Sequence, residues 1–96
     1  MEPQNDKIFF YTYILQSDNT GGLYIGYTAD LEKRLKQHNE FVGKFTSNKG
    51  TWRIIFYKTF DNKTQAISLE RELKRWKSKK RILEWIEREN SSKEVI

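Results

Sequence analysis

Tyr24, Arg34 and His38 are the first residues whose types and spacing point to chemistry. Tyr24 lies in Leu23-Tyr24-Ile25-Gly26-Tyr27-Thr28, a run with strand chemistry, and Gly26 marks a place where the backbone passes close to another group. The chain then turns directly into a helix that Asp30 or Thr28 can cap, with Leu31 and Leu35 four residues apart. Arg34 and His38 are also four apart, so they share one face, beside the leucine stripe rather than opposite it. A phenol at a strand end, followed by a guanidinium and an imidazole on the next helix, suits a phosphodiester site. The stretch lacks a metal ligand and a nucleic-acid surface, which the rest of the chain must supply.

Glu70 is the carboxylate out of place. On a helix carrying Ala66, Leu69, Leu73 and Trp76 along one face, it projects about 40° from Ala66 and about 60° from Leu73, whereas Glu72 points well away. A carboxylate facing a small core costs stability unless a cation, a metal or several hydrogen bonds offset it. Spacing leaves three partners open: a metal, Lys74 at i+4, or Arg34 across the sheet. The surface candidate is Lys74-Arg75-Trp76-Lys77-Ser78-Lys79-Lys80-Arg81, with six basic residues in eight and no acid. It reads either as a solvated helix end or as a phosphate-tracking surface with Trp76 among the cations.

Composition narrows the class. The 96 residues carry a net charge of +5 and have a pI near 9.5, a balance that suits a polyanionic partner. Hydrophobic content is only 36%, so the aromatics must fill much of a small single core. With no cysteine and one histidine, disulfides, thiolate chemistry and multi-histidine metal cages are excluded. No apolar run approaches the roughly 20 residues of a membrane span. Met1 to Asp6 is too polar for a signal peptide, and the expected location is the cytoplasm.

These groups must be positioned by few elements. Residues 1–7 read as a disordered lead-in. Ile8 to Leu15 reads as a buried strand, and Ser17 to Gly22 as turn chemistry for a hairpin into Leu23–Thr28. A helix follows over about Asp30 to Asn39, then a loop from Glu40 to Thr51, then a strand from Trp52 to Phe60. Asn62 and Gln65 resemble a capping box opening a second helix. Ser78 can cap a third helix with Ile82, Trp85 and Ile86, ending near Asn90, and residues 91–96 read as a tail. The expectation is one α+β domain over 8–90, a small three-stranded antiparallel sheet flanked by about three helices. Its order is strand-strand-helix-strand-helix-helix.

Taken together, Tyr11-Thr12-Tyr13-Ile14-Leu15, Leu23-Tyr24-Ile25-Gly26-Tyr27-Thr28, Asp30-Leu31, Arg34-Leu35, His38-Asn39, and Ala66-Ile67-Ser68-Leu69-Glu70 with Lys74 resemble the GIY-YIG endonuclease superfamily, in particular its small stand-alone bacterial members. The resemblance spans roughly residues 8 to 87. Each three-letter motif is weak, but the combination and spacing are strong. The first element departs from the pattern, reading Tyr11-Thr12-Tyr13 where the family has Gly-Ile-Tyr, and the closing Tyr13 is kept.

The resemblance implies a divalent-metal-dependent endonuclease cutting DNA, or alternatively structured RNA, with repair or recombination as the expected setting. It implies Tyr24 as general base or orienter of the attacking water, with Tyr13 bonded to the nucleophile or phosphate. Arg34 is implied on the scissile phosphate, Glu70 as the protein ligand of Mg²⁺ (or Mn²⁺), and His38 in proton transfer or phosphate positioning. One carboxylate suffices because Mg²⁺ keeps several waters. A free phenol is a poor base at neutral pH, and a nearby guanidinium and metal favour the phenolate. Lys74, Arg75, Lys77, Lys79, Lys80 and Arg81 are the nucleic-acid-binding candidates. Larger family members carry appended DNA-binding domains, for which 96 residues leave no room. Weak, salt-sensitive phosphate binding, or a partner protein delivering the substrate, is therefore expected. The competing expectation, from another functional class, is a non-catalytic nucleic-acid-binding module on the same fold. Such a module needs the basic patch but not the Tyr13/Tyr24/Arg34/His38/Glu70 set.

Overall fold

The computed structural model describes residues 8–40 and 51–94. The expected lead-in over 1–7 lies outside the described residues, as do residues 41–50 of the expected loop from Glu40 to Thr51, and 95 and 96. The order is β1 (Phe10–Ser17), β2 (Leu23–Thr28), α1 (Leu31–Glu40), β3 (Trp52–Phe60), α2 (Lys63–Trp76) and α3 (Lys79–Glu94). This is the α+β arrangement that the patterning predicts. The strands form one antiparallel sheet in the order β2-β1-β3.

Alternation along β1 sends side chains to two cores. Ile14 joins Phe56, Leu73, Ile82 and Ile86 on the face covered by α2 and α3. Tyr13 and Leu15 join Trp52, Leu31 and Leu35 on the face covered by α1. The sheet is therefore sandwiched, and its central strand is buried on both sides. Between Ile14 and Leu15 the register with β3 slips from Phe56 to Ile54, so Ile55 is the extra residue of a β-bulge.

Local chemistry fixes the ends. In the hairpin turn, Gly21 takes φ +75°, a conformation that glycine adopts without strain. The Asp30 carboxylate accepts from the Lys33 amide at 3.1 Å and caps α1. Asn62 accepts from Gln65 N at 2.9 Å and caps α2, and the Ser78 hydroxyl accepts from Arg81 N at 3.1 Å to cap α3. The third helix runs to Glu94 rather than ending near Asn90, since Ser91-Ser92-Lys93 contains neither Gly nor Pro to stop it. Asn39 closes the far end of α1. Its amide oxygen accepts from Trp52 N at 2.7 Å and its amide nitrogen donates to Trp52 O at 3.2 Å, fastening the helix to the start of β3.

Candidate active site

A cleft of about 370 Å³ gathers Tyr13 from β1, Tyr24 from β2, Arg34 from α1 and Glu70 from α2. These residues span 57 positions of sequence and both sides of the sheet, and four of the five expected catalytic residues line this one cavity. Edge strand β2 makes the meeting possible, because helices from either face can reach past it.

Gly26 explains how Tyr13 gets there. It pairs with Tyr13 across β1 and β2, and a Cβ built on it would lie 2.6 Å from Tyr13 Oη and 2.8 Å from Cζ. The phenol therefore lies across the bare glycine backbone. Tyr13 is only 1% exposed. Burial pushes its pKa well above the ordinary value of 10, with Tyr24 adding to the rise, Arg34 opposing it and Glu70 adding again. A phenol so placed keeps its proton and serves as a hydrogen-bonding group.

His38 sits behind the phenols and does not line the cleft. It is 9% exposed, its Nε2 lies 3.3 Å from Tyr13 Oη, and its ring packs edge-on to Tyr24 with centroids 4.4 Å apart. Burial, and secondarily the Arg34 charge, lower its pKa below the ordinary 6.5. A neutral imidazole touching both phenols is suited to orienting them.

Glu70 is the half-buried carboxylate anticipated at the edge of the α2 stripe, with Ala66 and Leu73 buried beside it. Of the two cations that spacing offered, Lys74 is its partner, with Nζ 3.0 Å from Oε2. Among the described residues, no three His, Cys, Asp or Glu side chains come together to hold a metal. One hard carboxylate beside two phenols, in a cleft with room for water, nonetheless fits Mg²⁺ or Mn²⁺, which take one or two carboxylates and complete their shell with waters and substrate phosphate.

Five lining residues were not among the candidates, and two of them, Lys63 and Tyr27, carry groups that could act on a substrate. Lys63 lies in the first turn of α2, and the seven residues from it to Glu70 place both on the same helix face. That spacing was readable once Asn62 had been assigned as the cap. Tyr27 also lines the cleft. It carried no signal, because strand alternation puts it opposite Tyr24, and only an open sheet edge admits both.

The basic run divides. Lys74, Lys77 and Lys79 line a groove of about 630 Å³ that Tyr24 also borders, so it adjoins the cleft that holds Arg34 and Glu70. Lys80 borders a separate depression beneath α3, which Lys79 also reaches. Arg81 stacks on Trp76 at 4.5 Å from the ring centre, and Arg75 is exposed on α2.

The sequence profile of the GIY-YIG catalytic domain matches residues 9–83. The chain belongs to the GIY-YIG family. A UPF0213 protein of Bacillus velezensis is 39% identical over 94 residues, covering 97% of this chain and 91% of that protein. A UPF0213 protein of Clostridium perfringens is 34% identical over 90 residues, covering 88% and 96%. The solution NMR structure of a UPF0213 protein from Bacillus halodurans superposes with a TM-score of 0.54 at 27% identity, over 83% of this chain and 84% of that one. The GIY-YIG domain implies nuclease activity in general, a nucleic-acid substrate and a divalent metal. No described helix is long and apolar enough to cross a membrane.

Proposed function

We infer that this GIY-YIG protein is a metal-dependent endonuclease that hydrolyses phosphodiester bonds in DNA in preference to RNA, acting in the cytoplasm in repair or recombination, with residues 8–90 as its working unit. The observation that carries this reading is the convergence of Tyr13, Tyr24, Arg34 and Glu70 on one cleft. Packing alone requires neither a guanidinium nor a carboxylate there.

Hydrolysis needs an activated water, neutralised phosphate oxygens and a stabilised leaving oxygen. Tyr24 orients the attacking water and accepts its proton while the water oxygen bonds to phosphorus and the P–O bond to the leaving group breaks, the departing oxygen taking a proton from solvent. Tyr13 keeps its proton and donates a hydrogen bond to the nucleophile or a phosphate oxygen. Arg34 binds the scissile phosphate through its planar fork and offsets the growing charge. His38 is a positioning residue, acting through Tyr13 and Tyr24. Glu70 would hold Mg²⁺ or Mn²⁺, which when bound would supply Lewis acidity at the phosphate. Lys74, Arg75, Lys77, Lys79, Lys80 and Arg81 form the nucleic-acid-binding surface, with the three lysines of the adjoining groove as its inner part.

The test is incubation of plasmid, single-stranded, branched DNA and structured RNA with Mg²⁺ or Mn²⁺, wild type beside Tyr24→Phe. Cleavage lowered at least about 100-fold in the variant, the scale of a general-base contribution, supports the reading. Cleavage at the wild-type rate would remove Tyr24 from the chemistry.

A further inference from the structure

Lys74 belongs to two places at once. Its Nζ lies 3.0 Å from Glu70 Oε2, and its side chain lines the groove shared with Lys77 and Lys79. Tyr24 borders both the groove and the cleft that holds Glu70, so the two depressions meet at the phenol. The ion pair is asymmetric, with Glu70 14% exposed and Lys74 54% exposed. The carboxylate is the more buried partner, whereas the ammonium rides on a flexible four-carbon stem in solvent and can leave at little cost.

The oxygen that Lys74 contacts belongs to the carboxylate that a divalent ion would use. An ammonium and a doubly charged ion on one carboxylate repel each other at close range, so occupancy by one disfavours the other. We propose that Lys74 is an exchangeable counter-ion: it neutralises Glu70 while no divalent ion is bound, and once one is bound it turns into the groove to contact a nucleic-acid phosphate. The inference rests on Glu70 being the metal ligand. It gives Lys74 two opposite effects. It competes with metal in the free protein, and it binds nucleic acid only when metal has released it. Metal and nucleic acid then strengthen each other's binding through a single side chain, as reciprocal linkage requires.

Lys74→Met keeps the aliphatic stem and removes the charge. With Mn²⁺ as the probe and free ion read by electron paramagnetic resonance, Lys74→Met is expected to bind about two- to five-fold more tightly than wild type, the scale set by a partly exposed ion pair. Lys74→Arg, which can grip the carboxylate by two parallel bonds, is expected to bind Mn²⁺ more weakly than wild type. A fluorescein-labelled DNA hairpin, followed by anisotropy in the Tyr24→Phe background to keep the probe intact, supplies the second readout. Lys74→Met should lower hairpin affinity in Mn²⁺ and reduce the salt slope there by about one, with no change in EDTA. Equal losses with and without Mn²⁺ would overturn the exchange, as would Mn²⁺ binding no tighter in Lys74→Met than in wild type. Glu70→Gln separates the premises. If it loses Mn²⁺ binding, the ligand assignment stands whatever Lys74 does. If it binds Mn²⁺ as wild type does, both the assignment and the exchange fall.

Discussion

At Gly26 the missing side chain matters more than any group present. The phenol of Tyr13 occupies the space where a Cβ would be, 2.6 Å from its oxygen, and neither the ring nor the strand backbone behind it can yield cheaply. Gly26→Ala should destabilise the fold by about 1–3 kcal/mol, as overpacking of a dense site does, and should lower cleavage further by moving Tyr13. Urea unfolding beside cleavage rates checks both effects. His38 makes a prediction of the opposite kind, about pH. Its folded pKa is lowered below 6.5, chiefly by burial, so between that lowered value and 6.5 the unfolded chain takes up a proton that the folded chain refuses. Stability therefore rises with pH across this window. As pH falls, stability begins to be lost near 6.5 and continues to fall until the folded value is passed. Wild type should lose more stability than His38→Gln between pH 7.5 and pH 5, read as the difference between their urea midpoints. At this scale the spacing of Arg34 and His38 was legible, as was the anomaly of Glu70, because helical geometry alone dictates them. That His38 faces Tyr13 rather than the cleft was not legible. It depends on how α1 seats on the sheet, which no local pattern encodes.

Among the elements, α2 does most to build the site, and its two ends show how. Asn62 caps its start and so sets the phase that brings Lys63 and Glu70 to the cleft two turns apart. Its C-terminus closes at Lys77, which has φ 53°, the left-handed conformation usually given to glycine. A lysine there costs about 1 kcal/mol relative to glycine, yet the same residue lines the groove beside Tyr24. Lys77→Gly should therefore raise stability by up to about 1 kcal/mol while weakening nucleic-acid binding, measured by urea unfolding and anisotropy on the same preparation. A variant that is no more stable would show that the turn carries no strain. The strands and helices are readable from aromatic runs, turn residues and caps: the expected β2 and β3 coincide with the observed bounds, whereas β1 runs Phe10–Ser17 rather than Ile8 to Leu15. The bulge at Ile55 was not readable, since Trp52 to Phe60 runs without a glycine or other break and the slip arises only from pairing with β1. The Asn39 clamp on Trp52 was also hidden, because it joins residues thirteen positions apart.

Across the whole molecule, stability and chemistry are divided between groups that can be tested separately. The two cores lie on opposite faces of the sheet, and Tyr13 belongs to one of them, so a large change at Tyr13 confounds folding with catalysis. Arg34 acts on the pKa values of both Tyr13 and His38, so its removal changes several groups together. Glu70 belongs to neither core cluster and, among the described residues, pairs with a half-exposed lysine one turn away. Its truncation should leave stability within about 0.5 kcal/mol of wild type, as for other partly exposed positions. Glu70 is also where the proposed hydrolysis of phosphodiesters with a divalent ion is most exposed to test. Its most direct test is Mg²⁺-dependent cleavage by wild type and Glu70→Ala at matched concentration, with circular dichroism confirming that both are folded. Wild type should cleave in a reaction that EDTA abolishes, and the variant should show none above background. Equal Mg²⁺-dependent cleavage by a folded Glu70→Ala would contradict the proposed role of Glu70.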